Sequence, residues 1–188
     1  HAMVVLQFIK NFNKEISIDW IVDEDFKELL EFHPDINQVH SVKLRKAKKK
    51  KSFFLLLNEL KKVKKMGSYD IVIDMQGLLK SALIAKLIPS RKTIGFDQNS
   101  IKERFASLFY RDKFNYSYAA NVIERNISII EFSLGFFIRK EQVQLKNPFI
   151  FSSESEIDLK LSNKKKNILL IPGASNISKC YPFKKFAE

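Results

Sequence analysis

Apolar residues recur along this chain in two alternating rhythms, one helical and one extended. Val4, Val5, Phe8, Ile9 and Phe12 repeat at helical spacing and predict an amphipathic helix over residues 3–12. Residues 16–22 read as a strand, Asp23 as the cap of a short helix through Phe32, and residues 39–42 as a second short strand. Residues 53–65 form a helical pattern with the stripe Phe53, Leu56, Leu57, Leu60 and Val63 opposite a basic face, so Phe53 and Phe54 are expected in the core. Ile71, Val72 and Ile73 run together without polar alternation, which suits a parallel strand covered on both faces. A turn carrying Asp74, Gln76 and Gly77 follows, then an amphipathic helix to Leu87. Residues 92–96 read as a further strand, 101–110 as a helical segment, and 119–134 as a strong helix ending at Gly135.

Strand alternating with helix predicts parallel βαβ units, hence an α/β fold with a Rossmann-like parallel sheet flanked by helices. Residues 136–165 shift to Lys, Ser, Asn and Glu with a single Pro, as an interdomain connection would. Residues 167–171 begin a new strand, with a helix after Pro182. The expected division is a domain over 1–150, a connection over 151–166 and the start of a second domain over 167–188. A helix at 3–12 feeding a strand at 16–22 calls for a preceding strand, so the chain reads as a fragment at both ends. The alternative is that His1-Ala2-Met3 is a cloning scar on an intact amino terminus.

Charge changes this picture in one place. Residues 43–65 hold eleven Lys/Arg and one acid, so this segment contributes +10 of the formal +12. The excess is one local patch that attracts polyanions: phosphorylated glycolipid, anionic membrane or nucleic acid. Apolar runs reach only about five residues, far below the ~20 of a membrane span. The single cysteine, Cys180, gives no internal disulfide and points to a reducing, cytoplasmic setting. His1, His33 and His40 lack paired ligand spacing, so no metal is expected. No nucleophile elbow and no dinucleotide fingerprint is present.

Two turns are candidates for chemistry. Ligands of open α/β sheets gather at the carboxyl ends of the strands, where Asp74, Gln76 and Gly77 fall. Equally, Asp74 is a helix cap and Gly77 a permissive turn residue. In Pro172-Gly-Ala-Ser-Asn-Ile-Ser-Lys179, small residues, the Ser175 hydroxyl and the Lys179 charge suit a diphosphate, or else an ordinary strand-to-helix turn. Lys46 to Lys51 are either an anion site or a mobile solvated loop.

Four segments resemble, in order, the type I lipopolysaccharide heptosyltransferases, inverting enzymes of the two-domain GT-B architecture. They are residues 69–82 (Tyr-Asp-Ile-Val-Ile-Asp-Met-Gln-Gly-Leu-Leu-Lys-Ser-Ala), Ala106-Ser-Leu-Phe-Tyr110, Val122-Ile-Glu-Arg125 and Lys179-Cys-Tyr-Pro182. Type II enzymes tend to carry Leu-Pro-Asn-Ser where this chain has Asp74-Met-Gln-Gly77. The resemblance implies transfer of L-glycero-D-manno-heptose from ADP-heptose to Kdo (3-deoxy-manno-octulosonic acid) of Kdo2-lipid A, with no obligatory cofactor. It implies donor diphosphate contacts from Ser175 and Lys179, although Cys180 and Tyr181 depart from the usual His-Trp. Acceptor-side contacts are implied for Asp74, Gln76, Gly77, Lys80 and Lys102. Arg45, Lys46, Lys48, Lys49, Lys50 and Lys51 would bind the acceptor's carboxylates and phosphates and the anionic inner leaflet. Family members open with a strand and a Gly-Asp loop before a His that starts an apolar helix. His1 matches that His, so the catalytic Asp is expected upstream of it. The implied location is the cytoplasmic face of a Gram-negative inner membrane. Two rivals stand beside this: another GT-B glycosyltransferase, and a nucleic-acid-binding domain using the basic segment.

Overall fold

Helix α1 (Val5–Phe12) follows a 3₁₀ turn at Ala2–Val4 and opens the computed structural model, which describes residues 1–151 apart from the Lys48 side chain. Most of its stripe is buried: Val4, Val5, Phe8 and Ile9 pack against Ile127 and Ile130 of the long helix α5 (Val122–Leu134), whereas Phe12 at its end is half exposed. Asn121 caps α5 by accepting from the Ile123 amide at 2.8 Å, and Gly135 closes it at φ 72°.

Strands β1 (Asp19–Asp23) and β2 (Gln38–Val42) are parallel, in register from Asp19 opposite Gln38 to Asp23 opposite Val42. Helices α2 (Leu44–Lys49) and α3 (Phe53–Lys64) lead to β3 (Tyr69–Asp74). Then come α4 (Leu79–Leu87), β4 (Ser90–Phe96), a 3₁₀ segment at Arg104–Phe109 and the short β5 (Asp112–Phe114). Every strand pair among the described residues is parallel, as the βαβ rhythm implies.

The strands form two sheets rather than one, ordered β1-β2 and β3-β4-β5. Side chains, not a backbone ladder, join β1 to β3. Tyr69 Oη donates to Asp19 Oδ2 at 2.8 Å, His40 Nε2 lies 3.1 Å from the same oxygen, and Asn37 donates to Oδ1 at 2.9 Å. Burial and the Asp19 carboxylate push the Tyr69 hydroxyl up to about 12. Burial alone would raise the Asp19 carboxyl, but its hydrogen bonds outweigh that and hold it below the usual range. Asp19 and Tyr69 both begin their strands. The amino ends of the two sheets are therefore side by side, and their strand-to-helix connections leave toward one common edge.

Several expectations change. β1 starts at Asp19 instead of residue 16, and β5 was not expected. Residues 46–49 of the lysine run are helical, so that part is not a loop. Residues 136–149 do not behave as a connection: Phe136, Ile138 and Phe149 pack on the α1 core, and Phe136 stacks on Phe12 at 4.4 Å. Phe53 and Phe54 are not in the core but 71% and 72% exposed. The buried face of α3 is its second half, Glu59 and Val63, where Val63 meets Val42, Ile84 and Ile88. Its first turn carries the phenylalanines beyond that contact.

Candidate functional site

The β3 turn is built around Asp74. Oδ1 accepts from the Gln76 amide at 2.8 Å and the Gly77 amide at 3.3 Å, and Oδ2 accepts from Tyr110 Oη at 2.7 Å. The carboxylate is buried, and both of its oxygens accept hydrogen bonds from within the protein. Asp74 therefore shapes the turn; it does not cap α4 and does not face outward. Burial first, then the Asp74 charge and hydrogen bond, push the Tyr110 hydroxyl far above its ordinary value, so it stays a donor.

Two glycines make this contact possible. Asp74 pairs with Gly95 across the β3–β4 ladder, and a Cβ on Gly95 would collide with the Tyr110 ring. The missing side chain lets the ring cross β4 to reach Asp74. Gly77 sits at φ 67°, a conformation that L side chains rarely adopt, and a Cβ there would collide with Ile101.

Ile101 belongs to the loop after β4, which comes alongside the turn. Glu103 Oε2 accepts from the Leu79 amide at 2.7 Å and so caps α4 from outside the helix. Asp97 Oδ1 accepts from Ser100 Oγ at 2.6 Å, and Oδ2 accepts from Asn115 at 2.7 Å. Burial alone would raise the Asp97 carboxyl, but these bonds and two backbone amides hold it below its usual range. Beneath the loop, Arg125 of α5 is buried and donates to three carbonyls: Ser100 at 2.7 Å, Ser117 at 2.6 Å and Tyr116 at 3.4 Å. Its guanidinium lies 4.4 Å from the Phe96 ring centroid. Burial lowers its pKa, yet a guanidinium remains charged.

The result is a pinned rim at the carboxyl ends of β3 and β4. Gln76 and Lys80 on the turn side and Lys102 on the loop side are exposed, while Asp74 and Gly77 are buried beneath them. An amide and two ammonium groups on a fixed backbone suit a hydroxylated, anionic ligand.

The basic corner lies on the same edge, after β2. Part of its charge is internally matched: Lys43 Nζ lies 3.0 Å from Glu24, and Lys62 Nζ 2.7 Å from Glu59. Arg45 stands 3.9 Å from Asp25 with its guanidinium over Phe26, so it is less available than its neighbours. Lys46, Lys49, Lys50 and Lys51 are exposed and make no ion pair among the described residues. Lys48 lies within α2. Ser175 and Lys179, with the rest of the second candidate turn, lie outside the described residues. No cluster of three metal-ligating side chains occurs among the described residues.

Tyr110, Gly95 and Arg125 are the participants that periodicity misses. Tyr110 and Arg125 end two of the resembling segments, the only sign of them in the sequence.

Comparison with known proteins agrees with this architecture. The pattern of glycosyltransferase family 9 (heptosyltransferase) matches residues 57–188. Lipopolysaccharide heptosyltransferase 1 of Campylobacter coli is 39% identical over 99% of this chain and 54% of its own length. The Pseudomonas aeruginosa protein of the same name is 33% identical over 64% of this chain and 35% of its own length. The structure of Escherichia coli heptosyltransferase WaaC with ADP-2-deoxy-2-fluoro heptose superposes with a TM-score of 0.68 at 29% identity, covering 74% of this chain and 45% of that one. The chain thus spans about half the length, or less, of these curated relatives. With well over half of its residues inside the matched span, the chain belongs to glycosyltransferase family 9, the heptosyltransferases.

Proposed function

We propose that this chain is the acceptor-side part of an inverting heptosyltransferase that moves L-glycero-D-manno-heptose from ADP-heptose to Kdo of Kdo2-lipid A. The observation that carries this reading is the 39% identity to a lipopolysaccharide heptosyltransferase 1, sustained over 99% of the chain. The structural likeness to a WaaC enzyme holding an ADP-heptose analogue supports the donor. In this reading residues 1–150 bind the acceptor, 151–166 connect the domains, and 167–188 begin the nucleotide-sugar domain. The work is done at the cytoplasmic face of the inner membrane.

Each group then has a role that its chemistry allows. Gln76, Lys80 and Lys102 orient the acceptor from the rim by hydrogen bonds and charge. Asp74 and Gly77 hold that rim in shape. The acceptor hydroxyl attacks the anomeric carbon and must lose its proton to a base. Asp74, buried and hydrogen-bonded through both oxygens, is not that base. The departing ADP gathers negative charge, which Ser175 and Lys179 stabilise. Lys46 and Lys48 to Lys51, with Arg45 in a lesser part, face the lipid A phosphates.

The test is transfer by the full-length protein, followed as the mass gain of one heptose on Kdo2-lipid A. Lys80→Ala with Lys102→Ala should raise the acceptor KM about tenfold or more and leave the donor KM unchanged. Product from another nucleotide sugar, and none from ADP-heptose, would overturn the substrate assignment. An unchanged acceptor KM in the double variant would remove the rim from acceptor binding.

A further inference from the structure

The α2–α3 corner joins two properties that the site does not require together. Phe53 and Phe54 occupy the first turn of α3, and Leu57 extends their face by one turn; all three are exposed. Flanking them along the chain are the exposed Lys46, Lys49, Lys50 and Lys51 before the helix and Lys61 one turn beyond Leu57. Between Lys43 and Asn58 the sequence contains no Asp or Glu, and the nearby Glu59 is buried and engaged by Lys62 and the Lys43 amide.

The backbone holds this tip in place. Ser52 Oγ accepts from the Leu55 amide at 3.3 Å and caps α3. The Ser52 amide donates to the Ala47 carbonyl at 3.1 Å, closing α2, with Lys51 at φ 47° between the two helices. Two aromatic rings and a leucine are thus presented to water on a segment flanked by exposed lysines. Such apolar exposure is costly in a soluble protein unless something covers it.

We propose that the tip formed by Phe53, Phe54 and Leu57 inserts into the interface of an anionic bilayer, with the surrounding lysines on the phospholipid headgroups. Aromatic and leucine side chains enter the headgroup boundary, and lysines reach back to anionic phosphates. Neither element is strong alone; together they provide the two signals that stable peripheral binding needs. Nucleic acid fits less well, because base stacking uses platforms along a strand-tracking groove whereas these rings project from a helix start. The proposal rests on the proposed function only in that a lipid-anchored acceptor brings the enzyme to a membrane.

The experiment is co-sedimentation of the full-length protein with phosphatidylethanolamine–phosphatidylglycerol vesicles, and with phosphatidylcholine vesicles, across a salt series. The wild type should bind the anionic vesicles and release as salt rises. Phe53→Ser with Phe54→Ser should weaken binding about tenfold or more at every salt concentration. Lys49→Gln, Lys50→Gln and Lys51→Gln together should flatten the salt dependence. Equal binding by the serine variant and the wild type would overturn the insertion. Release of the wild type from vesicles by an oligonucleotide, with tighter binding to it, would overturn the choice of partner. Heptose transfer to a soluble Kdo sugar without lipid is measured in parallel, and the serine variant should retain it. Vesicle binding without any transfer by the wild type would sink the proposed function and leave the insertion standing; intact transfer with unaffected vesicle binding would do the reverse.

Discussion

The turn at residues 74–77 and the corner at residues 44–57 lie on one edge of the fold and use their polar groups in opposite ways. In the turn, the conspicuous carboxylate is consumed internally, by two amides and a tyrosine, and what remains outward is an amide and two lysines. In the corner, Lys46, Lys49, Lys50 and Lys51 make no ion pair among the described residues, and Phe53, Phe54 and Leu57 also face water. One region is a scaffold with a few exposed polar tips, the other a surface with little scaffold beyond its helix caps. A ligand-facing position at a strand end is therefore no guide to which side chain meets the ligand. Burial and hydrogen-bond saturation decide it.

Four substitutions or conditions probe this contrast, and the strongest should strike the turn. Gly95→Ala places a Cβ inside the Tyr110 ring, and either the ring leaves Asp74 or β4 shifts; about 3 kcal/mol of stability should be lost in chemical denaturation. A loss within experimental error would mean that Tyr110 does not cross the strand there. Tyr110→Phe keeps the ring and removes one hydrogen bond to a buried carboxylate, for about 2 kcal/mol. If it costs nothing, Asp74 is not the organising group.

A smaller effect appears with pH. The Asp97 carboxyl is held below its ordinary value of 3.8, so its contribution is complete above that value and is lost as pH falls through the lower folded one. Asp97→Asn should lower stability at neutral pH and flatten the acid limb of the stability–pH curve, so that variant and wild type converge below about pH 4. An unaltered acid limb would contradict the loop network. The corner should respond least, and in the opposite direction. Lys51→Gly relieves a left-handed backbone and should raise stability by up to about 1 kcal/mol. A loss of stability there would mean that the corner is more tightly built than its contacts suggest.

Much of the scaffold was readable from spacing. The β-branched run 71–73 gave β3, and Asn121 and Gly135 bracket α5, because caps and buried parallel strands leave local signatures. The crossing of Tyr110 over Gly95 to Asp74 has none, since it joins residues 36 apart in sequence through an absent side chain. The exposure of Phe53 and Phe54 escapes the pattern for a related reason. A helical stripe states which residues share a face, but not how far along the helix the neighbouring core extends. Residues 101–110 read as helical, but only Arg104–Phe109 is, and in 3₁₀ geometry, a distinction that hydrophobic pattern does not make over so few residues.

Arg125 gives the rim a mechanical character. The loop bearing Lys102 is fastened at Ser100 to α5, not only to the strand it leaves, and α5 in turn bears on α1 through Ile127 and Ile130. Any load applied by a ligand at Lys102 is delivered to that helix pair. Slower hydrogen exchange in α5, remote from the bound molecule, would be its signature.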